Sequence, residues 1–121
     1  MQSALPLQTP TAINAVLSLC PEEIMQRSHL IDYMHIPIPD SQPISTRQFE
    51  AVMAAIERGL QRGNLLIHCA AGFSRSPIVA AAWMHRCGHL NFEAALQEIA
   101  ELREIDPSPI LLKSIKENLR R

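Results

Sequence analysis

A chain of 121 residues with 47% hydrophobic content can bury one core and leaves little material for a second, so a single domain over residues 1–121 is expected. Lysine and arginine total 11 against 12 acids, and this balance excludes a partnership with nucleic acid or anionic membrane driven by net charge. No apolar run approaches the roughly twenty residues that span a bilayer, and Met1-Gln-Ser-Ala-Leu-Pro6 lacks the basic-then-apolar layout of a secretory signal, so a cytoplasmic location is expected; a monomer is expected as well.

Residues 1–12 carry Pro6 and Pro10 and are expected as a loose arm or a short edge strand. Ile13 to Leu19 is almost continuously apolar and suits a buried strand. Pro21-Glu-Glu then has the proline-first, acid-rich start of a short helix. Asp32 to Ile38 predicts a second strand, stopped by Pro37 and Pro39, which delivers Asp40-Ser-Gln-Pro as a loop.

Ser45 and Gln48 have the spacing of a capping box, and Phe49, Val52, Met53, Ile56 and Leu60 recur at helical intervals up to Gly63. Asn64 to His68 holds a short apolar run that fits a central parallel strand. Pro77 to Arg86 predicts a buried helix ending near Gly88. Two amphipathic helices follow at about 91–104, with Ala94, Leu96, Ile99 and Leu102 inward, and about 107–120, with Lys113, Lys116 and Arg120 on a solvated face. Strands alternating with helices predict an α/β fold: a central, mainly parallel sheet of about four strands flanked by helices, with ligands beyond the strands' carboxyl ends.

The segment His68-Cys-Ala-Ala-Gly-Phe-Ser-Arg-Ser76 lies at that end, where a buried strand must become a buried helix within a few residues. Gly72 permits a tight turn and Ala70 and Ala71 keep bulk away, so successive amides of Ala70, Ala71, Gly72, Phe73, Ser74 and Arg75 can converge on a phosphate at the next helix's N-terminus. Phe73 would line the loop wall. The same positive surroundings favour a thiolate at Cys69 over a thiol, and the planar fork of Arg75 can hold two phosphate oxygens during in-line attack. Expulsion of an alkoxide or phenoxide needs an acid on the far side, and Asp40 is the candidate, with Asp32 its rival at the wrong end of a strand. Ser76 can donate to the departing sulfur, while His68 points away from Cys69 on the strand and is expected to support the loop.

Cys20 and Cys87 are expected as reduced, buried hydrophobes. The five histidines and three cysteines show no metal-ligand spacing, so neither metal nor cofactor is expected. His29, His35, His85 and His89 are read as surface or hydrogen-bond-satisfied side chains.

The run from His68 to Pro77 resembles the phosphate-binding loop of the protein tyrosine phosphatase superfamily, and its Ser-Arg-Ser-Pro77 ending resembles the dual-specificity branch. The likeness extends over about 13–119, through Leu-Ser-Leu-Cys20, Ile-Pro-Ile-Pro-Asp40 and Ala94-Leu…Arg103…Pro107. It implies Cys69 as phosphocysteine nucleophile, Arg75 as phosphate binder, Asp40 as acid then base, Ser76 as the aid to breakdown, and a phosphorylated protein as substrate, with phosphotyrosine and phosphoserine or phosphothreonine both admitted. Family members usually have a further strand and helix before residue 13, and Ala70-Ala71 lacks the lysine often found in phosphoinositide-directed relatives. The rival readings are a phosphoprotein-binding module without turnover, a phosphatase for phosphoinositides or other non-protein esters, and a sulfur-transfer or arsenate-reducing enzyme.

Overall fold

A computed structural model describes residues 12–20, 30–39, 41–69, 74–88 and 90–120. The expected N-terminal arm (apart from Ala12), the short helix at Pro21, His29, His89, Asp40 and Ala70–Phe73 lie outside the described residues.

Among the described residues three parallel strands form the sheet: β1 (Ala15–Ser18), β2 (Asp32–His35) and β3 (Leu65–His68), in the order β2-β1-β3. The register sets Ala15 beside Asp32 and Leu65, and Ser18 beside His35 and His68. Parallel pairing from these starts carries all three chains out at one edge, where Leu19 donates its amide to the carbonyl of His68 at 2.8 Å. The strand expected at the centre, β3, is an outer strand among the described residues, and Leu66 is 46% exposed. The centre belongs to β1, whose four residues are all buried because it has a neighbour on each side.

Helix α1 (Thr46–Arg62) joins β2 to β3 and packs on all three strands. The expected capping box is present: Ser45 Oγ accepts from the Gln48 amide and Gln48 Oε1 from the Ser45 amide, both at 3.0 Å. Its buried face ends on Gly59 rather than Leu60, which is 47% exposed. A Cβ at Gly59 would come within 2.6 Å of Leu65 Cδ1, so the missing side chain lets the helix approach β3. Gly63 ends the helix at φ 128°, a backbone region costly for any residue with a Cβ.

Helix α2 (Ser76–Arg86) packs against β3, α1, α3 (Phe92–Leu102) and α4 (Pro109–Leu119). It buries Ile78, Val79, Ala81 and Ala82, whose small and branched side chains let helices crowd around it. Asn91 and Ser108 cap the last two helices, accepting from Ala94 at 2.8 Å and Leu111 at 3.3 Å. Phe92 and Ala95 are the buried residues of α3; Leu102, expected inward, is 84% exposed because it sits on the helix's final turn, off the buried stripe. Lys113 and Arg120 are exposed as expected, and Lys116 pairs with Glu93 at 3.0 Å. Among the described residues no helix is long and apolar enough to cross a membrane.

Candidate active site

The edge where the strands exit gathers Cys69, Ser74, Arg75 and Ser76. Cys69 follows β3 directly and is 1% exposed, while Ser76 is the first residue of α2. The chain therefore leaves the sheet at Cys69 and re-enters regular structure seven positions later with its sulfur against a helix N-terminus. The Ser76 amide points at Cys69 Sγ over 3.4 Å, and Ser76 Oγ lies 3.6 Å from the same sulfur.

Burial acts to raise the pKa of this thiol. The Ser76 hydroxyl, the Ser76 and Arg75 amides and the Arg75 charge outweigh it and leave Cys69 below the ordinary thiol value. The first turn of α2 contains no acid, so nothing there offsets the partial positive charge of its free amides. These amides satisfy a negative sulfur better than a neutral one.

Arg75 is 4% exposed, an uncommon place for a guanidinium. Its Nη1 donates to the carbonyl of Ile38 at 2.8 Å, and Ile38 in turn donates its amide to Leu19 at 3.0 Å. Its Nε is buried without a hydrogen-bond partner among the described residues. A buried, charged donor left open costs energy until an acceptor arrives. An oxyanion held over the Cys69 sulfur meets that requirement, and the fork geometry of arginine suits its oxygens.

Of the expected site residues, Cys69, Arg75 and Ser76 come together; Ser74 is half-buried beside them, and His68 closes β3 with its carbonyl engaged by Leu19. Ala70, Ala71, Gly72, Phe73 and Asp40 lie outside the described residues. Asp32 does not belong to the site. It starts β2 level with Leu65, at the opposite end of the sheet, and both its oxygens accept from Arg58 at 2.9 Å.

Cys20, buried as expected, follows β1, and its carbonyl lies 2.6 Å from His35 Nε2; Cys87 is exposed at the end of α2, contrary to expectation, because the chain turns out of the core there. None of the three cysteines is in a disulfide. His85 Nδ1 contacts the Leu90 carbonyl at 3.1 Å. Among the described residues no group of three or more His, Cys, Asp or Glu side chains could hold a metal ion. Two features escaped sequence reasoning: the bond from Arg75 to Ile38, and a buried polar pair, Ser114 and Asn118, four apart on α4, that meets the loop after Asp40 at Ile44. The second had a signal, since two polar residues fall on the buried stripe with Leu111 and Ile115.

The family model for the dual specificity phosphatase catalytic domain matches residues 2–120. A probable dual specificity protein phosphatase of Dictyostelium discoideum is 31% identical over 106 residues, 86% of this chain but only 27% of that longer protein. Among solved structures, human DUSP28 superposes with a TM-score of 0.78 at 19% identity, covering 89% of this chain and 78% of the other. Tk-PTP in its active form does so with a TM-score of 0.68 at 28% identity, covering 89% and 76%. The match over nearly the whole length, on a parallel α/β fold with a cysteine and a buried arginine at the strand exits, makes this chain a member of the dual-specificity phosphatase catalytic-domain family.

Proposed function

We propose that the chain forms one catalytic domain that hydrolyses phosphate monoesters of proteins, on tyrosine and on serine or threonine, through a phosphocysteine intermediate. The observation that carries this reading is the buried Arg75 with its open Nε, next to a Cys69 sulfur whose pKa is lowered by the start of α2. A phosphate bound between them would take the place of the missing acceptor.

In the first step the Cys69 sulfur attacks phosphorus, the S–P bond forms as the P–O bond breaks, and Asp40 gives its proton to the departing oxygen. Amides of the loop from Ala70 to Arg75 and the guanidinium hold the equatorial oxygens as charge builds on them. In the second step water attacks phosphorus, the Asp40 carboxylate takes its proton, and the S–P bond breaks to release inorganic phosphate and thiolate. The Ser76 hydroxyl, 3.6 Å from the sulfur, stabilises that leaving thiolate. Neither step calls for a metal or cofactor.

The test is turnover of an aryl phosphate in chelator from pH 4.5 to 8 by wild type, Cys69→Ser and Asp40→Ala. Wild type should turn over, Cys69→Ser should be inactive, and Asp40→Ala should lose the descending alkaline limb. Inert wild type that still binds vanadate would sink the catalytic reading in favour of a phosphoprotein-binding module.

A further inference from the structure

A proton donor contributes only when it reaches the leaving oxygen, and displacement of about 1 Å can cost about a hundredfold in rate. The segment from Ile38 to Ile44 carries Asp40, so whatever fixes its two ends limits that reach. At the incoming end, Ile38 is 1% exposed and held twice, by its amide to Leu19 at 3.0 Å and by its carbonyl from Arg75 at 2.8 Å.

The outgoing end is held from the far terminus of the chain. Ile44 is 5% exposed, and both its main-chain groups bond one hydroxyl: its amide donates to Ser114 Oγ at 2.8 Å, and Ser114 Oγ donates to its carbonyl at 3.0 Å. Asn118 Nδ2 lies 3.4 Å from the same carbonyl and 3.0 Å from the carbonyl of Ser114. Two carbonyls facing one amide group fix its orientation, because the reversed amide would set oxygen against oxygen. Asn118 Oδ1 is left buried with no partner among the described residues. Between the clamps, Ser41 turns the chain at φ 58° and Pro43 restricts it further.

We propose that Ser114 and Asn118 of α4 are positioning residues for proton transfer: they fix the outgoing end of the acid loop at Ile44, as Arg75 fixes its incoming end at Ile38. This rests on Asp40 being the proton donor. Arg75 then has two duties, one toward the bound oxyanion and one toward the acid loop, and the C-terminal helix becomes part of the catalytic apparatus without touching substrate.

Leaving-group dependence separates positioning from mere stability. A dinitrophenolate departs without help, whereas phenolate needs the proton, so a misplaced donor slows phenyl phosphate alone. Ser114→Ala and Asn118→Ala should each lower kcat/KM for phenyl phosphate about tenfold, leave dinitrophenyl phosphate within about twofold, and flatten the alkaline limb of the phenyl phosphate profile. Ser114→Thr, which keeps the hydroxyl, should restore the phenyl phosphate rate. Ser108→Ala is the control, since it removes the cap of the same helix without touching Ile44 and should affect both substrates equally. If Ser114→Ala does not fold, Ser114→Cys, a weaker donor of similar size, gives the same readout.

Equal effects on both substrates, or none on either, overturn the proposal while Asp40→Asn still shows selective loss on phenyl phosphate. If Asp40→Asn itself shows no selectivity, the proton-donor reading fails and this inference falls with it.

Discussion

Replacement of Arg75 by lysine keeps one positive charge and removes the fork. In the structure Nη1 is committed to the Ile38 carbonyl at 2.8 Å, while Nε is buried and open. One ammonium can serve the Ile38 carbonyl or an oxyanion, not both sides at once. Loss of one hydrogen bond to a charged group costs about 1.5–3 kcal/mol, and removal of one donor from a buried oxyanion site costs about 2.7–4 kcal/mol. With about 1.4 kcal/mol per decade, kcat/KM for an aryl phosphate should fall between about 10-fold and 700-fold in Arg75→Lys. Steady-state kinetics at fixed pH measure this, with circular dichroism and a thermal midpoint to confirm the fold. A folded Arg75→Lys variant within about fivefold of wild type would refute the assignment of that open donor to the oxyanion.

Ser76→Ala removes the hydroxyl 3.6 Å from the Cys69 sulfur, so the pH midpoint for alkylation of Cys69 by iodoacetamide should move upward; Cys20, as buried as Cys69, is replaced by alanine and the exposed Cys87 by serine beforehand to keep the signal unique. Because the folded thiol titrates below its unfolded value, ionised Cys69 stabilises the fold above the unfolded thiol's pKa, and that contribution is lost as pH falls through the folded value. Urea denaturation across this range should therefore show a smaller alkaline gain in Ser76→Ala than in wild type. Asp32→Asn breaks an ion pair whose Arg58 side chain is 66% exposed, so it should cost at most about 1 kcal/mol and leave leaving-group dependence untouched. Selective loss on phenyl phosphate in that variant would return Asp32 to contention as the acid.

Much of the fold was legible because its signals are local. The Ser45–Gln48 capping box, the start of α2 at Ser76-Pro77 and the apolar run through β1 each depend on residues within a few positions of one another. The pairing order was not legible, since β1 and β3 are both short and apolar and nothing within either strand says which gains two neighbours. Leu60 and Leu102 were misplaced for a related reason: helical period gives a stripe, but packing decides where along the helix the stripe ends.

The candidate site divides along the same line. The Cys69-to-Ser76 spacing determined by itself that a thiol, an arginine and a hydroxyl could share one strand-to-helix turn, because chain connectivity over seven residues leaves them little room to separate. Only the tertiary structure decided that Arg75 would reach Ile38, 37 residues away, and that Ser114 and Asn118 would reach Ile44, 70 and 74 residues away. In both cases the group reached is main chain, the Ile38 carbonyl in one and the Ile44 amide and carbonyl in the other, so these contacts leave no mark on the identity of the residue they hold.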